Sequence, residues 1–256
     1  MKELGIDTGT VREKIVKFIK TEVRKAGFGK VVIGLSGGVD SSLLAHLSVE
    51  ALGKENVIGI LLPYKESNLQ SIQDAREVVK NLGIESLEVD ITEMVDAYFK
   101  KFPEANKIRR GNKLARERMS ILYDLSQKYQ ALVLGSSNKT EWFLGYFTQY
   151  GDAGCGLAPL LDLYKTQVRQ LAKAVGVPEH IIDKVPTADL WPGQTDEGEM
   201  GFTYEEVDRL LYLMFNKNLS DIELKTAGFK EDFIKEIKER IKKYEYKRRL
   251  PLFCQL

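Results

Sequence analysis

The chain has 256 residues, 43% of them hydrophobic, which is enough for one domain with a substantial core. Its 38 basic and 37 acidic residues leave a net charge of +1, so composition gives no ground for a nucleic-acid partner. The longest apolar runs, such as 57–63, are too short to cross a bilayer, and no signal-peptide pattern opens the sequence, so no membrane partner is expected and the chain reads as cytoplasmic.

Thr10 to Glu13 reads as a capping box, followed by Ile15, Phe18, Ile19 and Val23 on one helical face. Residues 31–35 then form a short apolar run fit for a buried strand, Ser36, Gly37 and Gly38 make a bend, and helical spacing resumes from Ser41 with Leu43, Leu44, Leu47 and Ala51. A strand, a glycine bend and a helix N-terminus make an anion site. Glycine permits positive φ, so successive N–H groups converge, and the helix dipole adds partial positive charge. Asp40 stands at the lip, where a magnesium ion bridging phosphates would sit. The common ATPase loop needs a Lys before its Ser or Thr, and no such tripeptide occurs here.

Further strands are expected at 57–62, 87–89 and 131–134. A helix starting near Ser71, with Asp74 completing a cap, ends at Gly83, and a longer one spans 112–129. Continuous apolar strands alternating with helices imply an α/β fold: an open parallel sheet with helices on both faces, right-handed crossovers and a site at the strands' carboxyl ends. Arg116 at a helix start suits bidentate contact with phosphate or carboxylate, although Arg–Glu alternation there also fits a solvated face. Glu141 follows the last strand and is either a helix-start charge or a second magnesium ligand beside Asp40.

Asp152 lies in a glycine-rich loop near Phe147 and Tyr150, and Lys165 opens a helix, where the dipole favours an acid. That helix, 163–175, ends at Gly176. Residues 186–202 lack periodicity and read as a binding lid. Helices at 204–215, 220–226 and 231–247 then form a C-terminal cap. The expected division is a single domain over 1–256, with a core at 10–185, a lid at 186–202 and a helical cap at 203–250. His46 reads as a core or flank residue and His180 as exposed. Cys155 and Cys254 form neither metal-ligand spacing nor a disulfide framework.

Ser-Gly-Gly-Val-Asp-Ser at 36–41 resembles the signature of ATP pyrophosphatases, which release pyrophosphate and transfer AMP. The segments Gly-Asn-x-x-Ala-Arg-x-Arg-Met, Gly-Tyr-Phe-Thr, Leu-Tyr-Lys-Thr-Gln-Val-Arg and Pro-Thr-Ala-Asp-Leu-Trp-x-Gly-Gln-Thr-Asp-Glu follow in order. Together, over roughly residues 10 to 251, they resemble the ammonia-dependent NAD synthetases. The resemblance implies an adenine nucleotide alpha hydrolase-like, Rossmann-like fold. It also implies amidation of deamido-NAD with ammonia, with ATP as co-substrate and Mg2+ as cofactor, by a homodimer.

Position by position, the resemblance implies ATP contacts from Gly34, Leu35, Ser36, Gly37, Gly38, Val39, Asp40, Ser41, Ser136, Lys165 and Thr187. It implies magnesium on Asp40 and Glu141, and catalytic roles for Asp152, which would receive ammonium, and Lys165. Arg116, Gln149 and Lys247 would contact deamido-NAD, Lys247 reaching in from a second subunit. Three positions depart from the usual pattern: Gln149 replaces a Lys, Gly156 an Asp and Tyr246 a His. A GMP synthetase-like or tRNA-modifying enzyme is the competing adenylating reading, and a nucleotide sensor the non-catalytic one. The residues beyond the motifs are too few for a glutamine amidase domain, so free ammonia is the expected donor.

Overall fold

The protein is described from a computed structural model covering residues 2–249 and 252–254. Asp7 caps the first helix, α1 (Thr8–Lys25), its carboxylate accepting from the N–H groups of Gly9 and Thr10. The cap therefore lies three residues before the expected Thr10, because Asp is as good an N-cap as Thr and starts the same face earlier. Strand β1 (Lys30–Gly34) leads through the glycine bend into α2 (Val39–Leu52), then β2 (Val57–Leu61) and α3 (Leu69–Leu82). Asn68, not Asp74, caps α3, accepting from Gln70 N–H at 2.8 Å, and Gly83 ends the helix in the left-handed region.

Strand β3 (Glu85–Glu88) starts two residues before the expected apolar run, and α4 (Thr92–Phe99) follows where no helix is expected. Then come α5 (Lys107–Tyr129), β4 (Ala131–Leu134), α6 (Lys139–Leu144) and α7 (Lys165–Val175). Short helices α8 (Glu179–Ile182) and α9 (Asp196–Met200) flank and enter the lid segment. The cap contains α10 (Tyr204–Phe215), α11 (Asp221–Thr226) and α12 (Glu231–Lys243), with a 3-10 turn at Glu245–Arg248 replacing the last expected helical turn. The expected cap boundary at residue 250 lies outside the described residues.

The four strands are parallel, in the order β3-β2-β1-β4. Strand alternation sends successive β1 side chains to opposite faces. Val31 and Ile33 pack with α1, α2 and α7 residues such as Ile19, Leu47 and Val168, whereas Val32 joins Ile58, Leu114 and Leu125 on the α5 face. A separate apolar cluster unites the cap with the lid's far end, joining Leu144 and Tyr164 to Met200, Phe202, Tyr204 and Ile237. Central β1 carries the bend, so the site opens at the carboxyl edge of the sheet, where α/β ligands bind. Among the described residues, no helix is long and apolar enough to cross a membrane.

Candidate active site

A cavity of about 560 Å³ opens at that edge, bounded by the bend, the start of α6, the loop carrying Asp152, α5 and the lid. Gly38 caps α2 without any side-chain hydrogen bond, so the helix's first N–H groups are not occupied by a cap. The bend is held from within. Ser41 Oγ accepts from Ser36 N–H at 3.3 Å and donates to the Gly38 carbonyl at 3.2 Å, and Ser42 Oγ donates to the same carbonyl at 2.8 Å. Gly34, Leu35, Ser36, Gly38, Val39, Asp40 and Ser41 of the expected ATP contacts line the cavity, as do Ser136, Lys165 and Thr187. Gly37 is turned the other way.

Lys165 lies at the start of α7 with its side chain 4% exposed, and its ammonium bonds Asp40 Oδ2 and sits 3.6 Å from Glu141 Oε1. Burial disfavours that charge, but Asp40, Glu141 and Asp196 outweigh it and hold the ammonium firmly protonated. Burial pushes Glu141 up to about 8; Lys165 counters this, while Asp40 and Asp196 add to it. The carboxylates thus favour more positive charge than one lysine supplies. Asn138 aligns both: its Nδ2 donates to Asp40 Oδ1 at 2.9 Å, and it forms a reciprocal capping box with Glu141. This residue was not singled out as a site residue, although Asn three positions before Glu signals a cap.

Asp152 is an exposed residue that opens onto the cavity, and desolvation by the surrounding walls raises its carboxyl above the ordinary range despite the Thr148 N–H it accepts at 2.8 Å. Lys247 also lines the cavity, donating to the carbonyls of Gly145 at 2.8 Å and Phe147 at 2.7 Å. The cavity it lines is that of its own chain. The short 3-10 turn after α12 folds the chain back far enough to place it there.

Arg116 and Gln149 meet each other outside the cavity lining: the exposed guanidinium donates to the Gln149 carbonyl at 3.3 and 3.2 Å. Gly156 has a packing reason. A Cβ there would lie 2.6 Å from Leu132 Cδ1, so the usual Asp does not fit behind β4. Tyr246 is exposed.

The segment expected as a lid contributes residues 186–191, Gln194, Asp196 and Glu199 to the cavity wall. Asp189, with φ of 50°, accepts from Asn68 N–H at 2.9 Å, and Lys107 lies over the Trp191 ring. Asp196 accepts from Tyr204 at 2.9 Å and Tyr146 at 3.2 Å. Asp196 lies inside a quoted motif but was not singled out, because only the fold brings Tyr146 and Tyr204 to it. Arg118, also missed, lines the cavity with its Nε on the Leu62 carbonyl at 3.0 Å.

Residues 11–251 match the NAD synthase family. The chain belongs to that family. An NH(3)-dependent NAD(+) synthetase of Trichlorobacter lovleyi is 53% identical over the whole chain and 94% of its own length. Among solved structures, an NMN synthetase from Francisella tularensis superposes with a TM-score of 0.87 at 33% identity, covering 98% of this chain and all of that one. The NH3-dependent NAD synthetase of Campylobacter jejuni, in complex with nitrate, gives 0.83 at 33% identity with the same coverage. The parallel sheet with its β1 bend is thus the NAD synthase fold, of the adenine nucleotide alpha hydrolase type.

Proposed function

We propose that this chain converts deamido-NAD, ATP and ammonia to NAD, AMP and pyrophosphate, the last step of NAD biosynthesis. One observation carries the reading: the anion-binding bend, the Asp40–Lys165–Glu141 cluster and Asp152 open onto the same cavity. The core, lid and cap act as one unit around it.

A carboxylate does not react with ammonia, since its carbon is electron-rich and oxide leaves poorly. The substrate carboxylate therefore attacks the α-phosphorus of ATP. A carboxylate O–P bond forms, the bond to the β-phosphate's bridging oxygen breaks, and pyrophosphate departs. The N–H groups from Ser36 to Ser41 hold that leaving group, and Lys165 steadies charge on the transferring phosphoryl. Ser136 and Thr187 position the nucleotide, and Arg116, Gln149 and Lys247 the dinucleotide.

Asp40 and Glu141 fit magnesium, which binds through one or two carboxylates plus substrate phosphates, and their buried, charge-deficient pairing supports that role. Mg2+ would supply further neutralisation of the phosphate oxygens. Ammonium binds at Asp152 and gives a proton to solvent. The resulting ammonia attacks the carbonyl carbon of the acyl-adenylate, shedding a second proton to solvent as the C–N bond forms and the bond to AMP breaks. AMP leaves as the amide forms. The seated lid keeps water from the adenylate. The assembly is a homodimer acting in the cytoplasm; sedimentation giving twice the chain mass checks the first part.

The test is turnover of purified protein with ATP, magnesium and deamido-NAD, comparing ammonium with glutamine. NAD, AMP and pyrophosphate in equal amounts, with ammonium far superior, are expected. ADP with orthophosphate, or equal use of glutamine, would refute it. Nicotinic acid mononucleotide is a necessary comparison because of the Francisella relative, and xanthosine monophosphate tests the purine-aminating alternative.

A further inference from the structure

The bend lacks the lysine of the common ATPase loop, yet a lysine from the cavity wall touches it. Lys184 Nζ donates to the Gly37 carbonyl at 3.0 Å and to Asp74 Oδ2 at 2.5 Å. Asp74, on α3, is 1% exposed, and its other oxygen accepts from Gln70 Nε2 at 2.8 Å. Against the upward push of burial, Lys184 and Gln70 keep this carboxyl below its ordinary range. His180 Nε2 stands 3.6 Å from Asp74 Oδ1. The same helix crowds the bend directly: a Cβ on Gly37, whose φ is +73°, would sit 2.0 Å from the Ser71 carbonyl oxygen. The bend therefore rests on α3 and on a residue two positions before the lid.

In a trans peptide the carbonyl and the following N–H point in opposite directions. Lys184 holds the Gly37 carbonyl at the cavity's margin, and Gly37 itself takes no part in the lining, so the Gly38 N–H points the opposite way, where Gly38 lines the cavity and its N–H reaches Ser36 Oγ at 3.3 Å. A peptide between two glycines meets little steric resistance to rotation. If it flipped, a carbonyl oxygen would face the bound anion.

We propose that Lys184, gripped by Asp74, is the positioning residue that locks the Gly37–Gly38 peptide with its N–H towards the pyrophosphate of ATP. This rests on reading the Ser36–Ser41 bend as the pyrophosphate site. Asp74 has two duties: it aims the ammonium at the carbonyl, and it neutralises Lys184 so that the lysine acts through the backbone.

The test is calorimetric binding of magnesium pyrophosphate, which needs no turnover, beside steady-state kinetics. K184M is expected to weaken pyrophosphate binding and raise the KM for ATP about tenfold, leaving the KM for deamido-NAD near wild type, while the unpaired Asp74 lowers its unfolding midpoint. K184R should restore most of the affinity. D74N discriminates between mechanisms: weaker pyrophosphate binding fits a lost strut, whereas tighter binding would mean that Lys184 works by charge and would overturn the proposal. The exchange K184M/D74L removes the strut without leaving a buried unpaired carboxylate, and should bind pyrophosphate as weakly as K184M. Wild-type affinity in either strut-less protein, or equal shifts for both substrates, would also overturn it. Wild-type protein that ignores magnesium pyrophosphate would defeat the reading of the bend itself, and the proposal with it.

Discussion

The ammonium of Lys247 donates to the carbonyl oxygen of Phe147 at 2.7 Å, tying the end of the cap to the loop that carries Asp152. Burial lowers the proton affinity of that lysine, while Asp152 works against the loss. K247M is expected to raise the KM for deamido-NAD about tenfold, on the order of the 1.4 kcal/mol that one charge-assisted contact supplies. The KM for ATP should stay put. Equal shifts in both constants would place Lys247 outside dinucleotide binding.

Lys165 pairs with Asp40 beside Glu141, so its removal leaves Asp40 uncompensated in a mostly buried cluster. K165M should lower unfolding free energy by about 3 kcal/mol in urea titrations without magnesium, and reduce NAD formation about a hundredfold or more. Added magnesium should recover part of the stability. A variant as stable as wild type without metal would contradict the arrangement of Asp40 and Glu141 around this lysine.

Asp208 is fully buried, accepting from Thr140 Oγ1 and from Thr166 N–H, and burial pushes it up to about 6. A carboxyl raised in the folded state favours folding most when protonated. Its contribution is complete below about pH 4 and is lost as pH rises towards 6, a change of about 3 kcal/mol. D208N should remove that segment of the pH–stability curve. Urea midpoints between pH 4 and 7 that run parallel for the two proteins would disprove it.

Gly156 should resist its usual family counterpart. G156D drives Cβ into Leu132 and is expected to cost about 2 kcal/mol. In a double-mutant cycle, L132A should relieve part of that cost, giving a favourable coupling of about 1 kcal/mol. Strict additivity of the two changes would mean that Leu132 is not the obstacle.

The reach of sequence reasoning followed the range of the interactions. Strand β4 and the ends of α3 and α7 were legible because apolar runs and terminal glycines are local signals. Strand β3 was misplaced since its edge position leaves Glu85, Ser86 and Glu88 exposed, with no apolar alternation to read. Helices α4, α6 and α8 are too short to display a period. In the site, the bend and the acids were visible in motifs. The Lys184–Asp74 and Asp196–Tyr204 pairs were not: the first joins positions far apart in the chain, and in the second the acid finds its partner only after the chain turns back at Gly201. Lys247 was identified, but the turn at Glu245–Arg248 that brings it to its own chain's cavity carries no sequence signal.

The segment above the cavity is buckled at both ends, to α3 through Lys184 and to the cap through Asp196, Met200 and Phe202. Asp189 pins the same strap near its middle, on the N–H of Asn68 at the start of α3, so the chain over the cavity is stitched down at three places and has no single hinge to swing on.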